Sequence, residues 1–239
     1  VVATTEGRPY LITGADPRSM APTRLPVTQG CVSARSVVSL GYAVVYASVD
    51  GLVMVDSNGA RLITRDVISP QEWAGYAPES MHGYEHEGRC VLFYNTGERR
   101  GALVIDPRNP EGGVLEWSLW ARSGYRDPAD PYLYLLTEAG DIVQWDAGDE
   151  TLSYRWRSAV LPIPYSVAPS CAEVWAHSYD DTTLRLFIDG ELVVERSIMG
   201  SGPMRLPPRR GRELEVEIEG TDTVQEVVLA DSVGEMRHV

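Results

Sequence analysis

The sequence predicts an all-β protein: partial or small β-propeller-like blades followed by a C-terminal β-sandwich. Turn residues recur about every ten positions, and the segments between them are short, mostly alternating and rich in Val, Ile, Leu and Tyr. Helical periodicity is almost absent, apart from one capping box at Ser69-Pro70-Gln71-Glu72. That box predicts a single short helix over residues 70–76.

An internal repeat predicts the blades. Three units, near residues 42–64, 89–120 and 132–157, align on an aspartate that closes their second predicted strand. These residues, Asp56, Asp106 and Asp146, lie 50 and 40 positions apart, which is the repeat length of propeller blades. Residues 9–13 predict part of a further blade. A plain meander of strands is the alternative interpretation of the same pattern.

A change in the pattern of strands and turns predicts two domains, a propeller-like domain over 1–157 and a sandwich module over 158–239. Three prolines in residues 162–169 predict a linker. The strands that follow alternate strictly, and Asp189-Gly190 between two of them is a strong hairpin signal, because such turns need positive φ at both central residues.

Composition excludes several function classes. With 34 acidic and 21 basic residues the net charge is −13, which disfavours binding to phosphate backbones or anionic lipid. All basic residues are arginine, so lysine-dependent chemistries are excluded. Three widely spaced cysteines predict neither a disulfide framework nor a zinc site. No apolar run is long enough to cross a membrane. The start, without Met or a signal-peptide pattern, predicts a processed chain or a piece of a longer one.

One short histidine pattern is a candidate metal site. His82, Tyr84 and His86 are two apart, so on a strand they share a face, and two imidazoles could bind one ion. No third ligand is specified, and the favoured interpretation is a pair of surface histidines.

Two charged segments are candidate contact surfaces. Glu213, Glu215, Glu217 and Glu219 alternate with apolar residues, which predicts a solvated acidic face that discourages edge pairing, with contact to a basic partner as the alternative. Downstream of the sandwich's central hairpin, four arginines share a loop: Arg205, Arg209, Arg210 and Arg212. In so acidic a chain we expect them to pair with its own glutamates or an adjacent subunit.

No pattern predicts a catalytic centre. The pairs Asp127 with Asp130 and Asp180 with Asp181 could be glycosidase carboxylates, but both lie in turn-like contexts that explain Asp through backbone hydrogen bonding. Nucleophile-elbow, dinucleotide and phosphate-loop motifs are lacking. Trp175 and Tyr179 are candidate sugar contacts of the sandwich. Four other tryptophans fit the blade core, and these are Trp117, Trp120, Trp145 and Trp156.

Three segments resemble tail proteins of bacteriophages and prophages. They read GRPYLITG at residues 7–14, YASVDGLV at 46–53 and LRLFIDG at 184–190. Over most of its length the chain is most similar to the propeller-bearing hub or nozzle proteins of short-tailed phages, which close the channel below the portal. The resemblance supplies no site motif, so no functional residue is transferred.

The resemblance implies a structural virion component, assembled in the host bacterial cytoplasm. It implies contact with other tail or portal subunits, a homo-oligomeric ring, of six copies by the nozzle analogy, and no membrane insertion. An acidic ring would let DNA pass without holding it. We expect no enzyme activity, no cofactor, and no catalytic, cofactor-binding or metal residue. The alternatives are a carbohydrate- or receptor-binding virion module and a propeller-type glycoside hydrolase.

Overall fold

The protein is built almost entirely from β-strands, in two compact units over residues 1–147 and 148–239. The computed structural model describes residues 7–148 and 151–235. Residues 1–6, on which the prediction of a processed start depends, lie outside this description. The described helices include none that is both long and apolar enough to span a membrane.

The N-terminal unit begins with a two-stranded ribbon and a four-stranded sheet. The ribbon consists of β1 (Tyr10–Thr13) and β2 (Ala21–Arg24). The first blade is an antiparallel meander of β3 (Val38–Ser39), β4 (Val44–Ala47), β5 (Leu52–Asp56) and β6 (Gly59–Leu62). The sequence predicted the last three of these strands and missed the two-residue β3.

The one α-helix among the described residues, α1 (Pro70–Ala74), follows the first blade, and its predicted start is confirmed. Ser69 Oγ accepts from the Glu72 N–H at 3.2 Å, and the Glu72 carboxylate accepts from the Ser69 N–H at 2.9 Å. The predicted end at residue 76 is two residues too long. Trp73 is fully buried and donates its indole N–H to the Ser48 carbonyl, so the helix is held against the first blade.

Two more blades complete this unit. The second contains β7 (His82–His86), β8 (Arg89–Asn95), β9 (Arg100–Ile105) and β10 (Val114–Trp117). The third contains β11 (Ser123–Arg126), β12 (Leu133–Leu136) and β13 (Ile142–Gln144). Each blade therefore has a first strand that the sequence pattern did not predict.

The blades are stacked face to face, as in a propeller. On β8, Leu92 and Tyr94 face the first blade, while Val91 and Phe93 face the third. All four side chains are at most 1% exposed. Strands covered on both faces are apolar at successive positions, which explains why the buried residues of this strand, Cys90 to Tyr94, do not alternate with polar ones. On its other side the first blade packs against residues of the ribbon, including Leu11.

The first strands of successive blades lie against one another. A Cβ on Gly83 in β7 would lie 2.7 Å from a methyl of Val38 in β3, and one on Gly124 in β11 would lie 3.0 Å from the Tyr84 ring of β7. Glycine is therefore needed where these strands approach. This convergence corresponds to the inner edge of a propeller-like arrangement.

The repeat that predicted the blades is real in three dimensions. Asp56, Asp106 and Asp146 each stand at or just after the end of the third strand of a blade. Asp56 Oδ1 accepts from the backbone N–H of Asn58 at 2.7 Å, and Asp106 Oδ1 accepts from that of Arg108 at 2.9 Å. Asp56 and Asp106 thus start the turn that leads out of the third strand, while Asp146, two residues after β13, has a positive φ of 52°.

The C-terminal unit is a β-sandwich, as the sequence predicted. One sheet has the order β14-β20-β17-β18, with β15 also paired to β20, and the other has the order β19-β16-β21. The strands are β14 (Tyr154–Arg157), β15 (Leu161–Val167), β16 (Cys171–Ala176), β17 (Thr182–Ile188), β18 (Glu191–Ser197), β19 (Met204–Arg205), β20 (Gly211–Gly220) and β21 (Val224–Ala230). Asp189 and Gly190 join β17 to β18, both with positive φ.

The predicted last strand of the third blade is wrong. Residues 154–157 form β14 and pair with β20 of the sandwich, so the third blade as described has three strands. The contact boundary accordingly falls after Ala147 instead of after residue 157. Periodicity identified a strand at this position, but strand partners are chosen by register and packing over long distances, which periodicity does not encode.

Candidate functional site

The acidic face of β20 is covered by arginines from two neighbouring strands. Arg185 of β17 donates to Glu217 at 2.8 Å and also to Glu219 and Glu195. From β14, Arg155 pairs with Glu219 at 3.0 Å. The pKa of the Glu219 carboxyl is lowered, first by the Arg185 hydrogen bond and then by Arg155.

The predicted solvated face is therefore wrong at its centre. Glu217 is only 7% exposed, and Arg155 and Arg157 lie within 4 Å of it in addition to Arg185. The Arg157 guanidinium also stacks on the Phe187 ring at 4.0 Å. Buried charges persist when they are paired and hydrogen-bonded, so this surface is internally neutralised and presents little free charge to a basic partner.

The arginine loop does not form a single cationic site. Arg209 pairs with Glu191, which agrees with the expected pairing to the chain's own glutamates. Arg205 belongs to β19 and Arg212 to β20. The Arg212 backbone N–H donates to Asp189 Oδ1 at 2.8 Å, so the end of this loop is hydrogen-bonded to the turn of the β17–β18 hairpin.

The histidine pattern lies on one face of β7, as predicted, but that face is interior. His82 is 4% exposed, stacks on Phe93 and lies 3.0 Å from the Ala121 carbonyl through Nε2. Burial, with help from Arg35, lowers the pKa of His82 to about 4. His86 contacts the edge of Trp145. Within residues 7–148 and 151–235, no three metal-ligating side chains come together. The favoured interpretation of surface histidines is thus wrong for His82.

Aromatic side chains fill the space between the second and third blades. Trp117 and Trp145 stack at 4.5 Å with an interplanar angle of 8°, and Trp120 packs beside them. The prediction of blade-core tryptophans is confirmed for these three. It is wrong for Trp156, which lies in β14 of the sandwich and is 44% exposed.

A tyrosine and carboxylate cluster on the second blade was missed by sequence reasoning. Glu116 accepts from the hydroxyls of Tyr94 and, at 3.3 Å, Tyr76. The Arg99 guanidinium lies over both rings, 5.0 Å from the centroid of Tyr76 and 5.6 Å from that of Tyr94. Burial and the neighbouring carboxylate raise the pKa of both tyrosines. No spacing in the sequence predicts the cluster, since 40 positions separate Tyr76 from Glu116.

The first of the two proposed carboxylate pairs accepts hydrogen bonds from the backbone. Asp127 and Asp130 each accept a backbone N–H two residues ahead, at 2.9 and 3.0 Å, as the turn interpretation predicted. Near the second pair, the organising carboxylate is Asp222. It accepts from Ser178, from Thr182 Oγ1 and from the Asp181 N–H, and the first of these is the largest cause that lowers its pKa to about 2.

Of the two candidate sugar contacts, one is available. Tyr179 accepts from the Ala176 N–H at 3.1 Å and donates to the Val174 carbonyl at 3.2 Å, so its hydroxyl is occupied within the sandwich. Trp175 is 49% exposed on β16, opposite Glu226 of β21.

Two apolar sheet faces in the N-terminal unit have no sheet packed on them in the described residues. On the third blade, Tyr125 and Ile142 are 59% and 76% exposed, on the face opposite the buried Leu133 and Leu135. At the other end of the stack, Ile12 on β1 is 42% exposed, on the face opposite Leu11. As far as the described residues go, the stack of sheets is thus uncovered at both ends. We call these surfaces the blade face and the ribbon face.

Comparison with known proteins gave similar solved structures but no family. No family model matches the chain, and no curated protein matches it. The structure of an exo-β-1,3-galactanase from Phanerochaete chrysosporium with galactose is similar with a TM-score of 0.30 and 10% identity, over 93% of this chain and 75% of that one.

This comparison corrects one expectation. The neighbour is a glycoside-cleaving enzyme, which contradicts the prediction that the chain is not an enzyme, and that prediction is withdrawn. A likeness at this TM-score and identity carries no argument for the neighbour's activity or substrate in this chain.

Proposed function

We propose that the chain is a structural subunit of a bacteriophage tail, at the level of the hub or nozzle, and that it assembles into a ring through its β-sheet faces. The observation that carries the proposal is the stack of sheets with apolar faces uncovered at both ends, the blade face and the ribbon face. Exposed apolar sheet faces bury favourable surface when another subunit covers them.

The distribution of charge supports the same function. The net charge of −13 repels duplex DNA, so a ring of such subunits would let DNA move through without binding it. Several arginines are engaged with the chain's own carboxylates, among them Arg155, Arg157 and Arg185. These side chains are therefore not arranged to grip phosphate.

Negative-stain microscopy of the purified chain, together with mass spectrometry of the parent virion, tests the proposal. We expect ring-shaped particles of uniform diameter and peptides of this chain in purified virions, at a constant ratio to the portal protein. A chain that stays monomeric at its highest soluble concentration and is missing from virions would overturn the proposal.

A second candidate function is glycan binding by the sandwich, favoured by the half-exposed Trp175 beside Glu226. An indole face next to a carboxylate can stack on a sugar ring and accept hydrogen bonds from its hydroxyls. Glycan-array binding that disappears in Trp175→Ala but persists in Leu192→Ala, a matched exposed apolar residue of the same unit, would support it.

A further inference from the structure

We propose that the blade face of one copy binds the ribbon face of the next copy, so that the chain assembles head to tail. This inference rests on the proposed function and adds the pair of surfaces that forms the contact. Its occupant is a second copy of this chain, because both faces are exposed apolar sides of antiparallel strands and the segments around them carry net charges of opposite sign.

The blade face is one side of a three-stranded antiparallel sheet. Tyr125, Tyr134 and Gln144 lie side by side across β11, β12 and β13, and beside them Leu136 pairs with Ile142. In the two blades that are covered on both sides, most residues of the second and third strands are buried. Here Tyr125 and Ile142 remain more than half exposed, as expected of a blade whose next neighbour is supplied from elsewhere.

The ribbon face has the geometry to be that neighbour. In the register of β1 and β2, Tyr10 pairs with Arg24 and Ile12 with Pro22, and these side chains point away from Leu11, which packs on the first blade. The ribbon presents two strands of a sheet whose inner face is already used. Covering it with a third blade would repeat the blade-on-blade packing seen inside the unit.

Charge distinguishes the two faces. Residues 9–25, around the ribbon, carry two arginines and one aspartate, so they are net positive in a strongly acidic chain. Residues 123–148, around the third blade, carry one arginine and five carboxylates, which are Asp127, Asp130, Glu138, Asp141 and Asp146. Unlike faces attract and like faces repel, which favours head-to-tail contacts over a symmetric dimer of either face with itself.

A head-to-tail contact is heterologous, so it closes into a ring or continues as a filament. That geometry makes a specific mixing experiment possible. Ile142→Arg damages only the blade face, and Ile12→Arg damages only the ribbon face. Each variant alone should lose assembly, with association weakened about 30-fold or more, as for a central apolar contact.

Mixed at equal ratio, the two variants should form a discrete dimer, joined by the intact ribbon face of one and the intact blade face of the other. Native mass spectrometry reads this directly, with Met199→Arg, at an 88% exposed site of the C-terminal unit, as the matched control that should assemble like the wild type. Circular dichroism checks that each variant is folded.

The outcomes separate this inference from the proposed function. If the wild type assembles and both face variants assemble equally well, this contact is wrong and the assignment of ring assembly to these two faces falls with it, while the function as a tail subunit stands. If the mixed variants remain monomeric although each alone has lost assembly, the contact is not heterologous and the inference fails. A monomeric wild type overturns the contact, and its presence or absence in virions then decides the proposed function separately.

Discussion

Glu85 and Arg126 occupy the same position in two successive blades and form an ion pair across them. Each stands two residues after the close-approach glycine of its first strand, Gly83 in β7 and Gly124 in β11, and Glu85 Oε2 lies 2.7 Å from Arg126 Nε. The repeat thus carries complementary charges at equivalent sites, which ties neighbouring blades together at their converging edge.

This pair should contribute modestly to stability. Glu85→Gln keeps an acceptor for the Gly88 N–H, which Glu85 Oε1 accepts at 2.8 Å, but removes the charge. We expect the free energy of unfolding to fall by about 1 kcal/mol, the upper end for pairs of this exposure. Urea denaturation measures it. In an Arg126→Gln background the same substitution should cost almost nothing, and an undiminished cost there would contradict the coupling.

The glycines of the first strands should be intolerant of a methyl group. Gly83→Ala places a Cβ 2.7 Å from Val38 and Leu92 side chains, and we expect it to destabilise the N-terminal unit by about 1–3 kcal/mol, as overpacking does. Gly202→Ala, where nothing lies within 4 Å of the new Cβ, is the control and should change stability little. Equal thermal midpoints for the two variants would show that the strands do not approach as described.

Replacing Arg185 should make the sandwich less stable in a pH-dependent way. The depressed pKa of Glu219 means that its pairing stabilises the fold above the ordinary carboxyl value of 4.5 and is lost as the pH falls through the lower folded value. Arg185→Met should therefore lower the midpoint of thermal unfolding most at neutral pH. The difference in midpoint between the variant and the wild type should become smaller below pH 4.5. Arg196→Met is the matched control. A gap that is constant with pH would refute an electrostatic role.

Asp222 should dominate the acid sensitivity of the sandwich. Its pKa is lowered from 3.8 to about 2, so it stabilises the fold above pH 3.8, and this contribution is lost between pH 3.8 and 2. Asp222→Asn should reduce the free energy of unfolding at neutral pH. Between pH 3.8 and 2 it should also reduce the slope of that free energy against pH, by up to the slope that the uptake of one proton produces. Asp16→Asn, on an exposed turn of the other unit, should leave the profile unchanged. An identical profile for Asp222→Asn and wild type would be inconsistent with this carboxylate titrating there.

Local signals in the sequence were sufficient for many of the strands, the start of the helix and the repeat. The capping box placed α1 at Pro70 because its hydrogen bonds join residues three apart, and Asp189-Gly190 placed its hairpin because only certain residues adopt positive φ. The aspartates Asp56 and Asp106 marked equivalent positions because the turn that each starts is closed within two residues. All of these interactions are local, so composition and spacing encode them.

The tertiary structure alone decided which segments became partners and what the charged and polar residues do. Residues 154–157 joined β20 instead of the third blade, and their arginines neutralised glutamates that the strand pattern predicted to be solvated. His82 became buried because a neighbouring blade covers its strand. Such outcomes depend on contacts between residues about 40 to 65 positions apart, and the alternation of a single strand says which side chains share a face but not what will lie against that face.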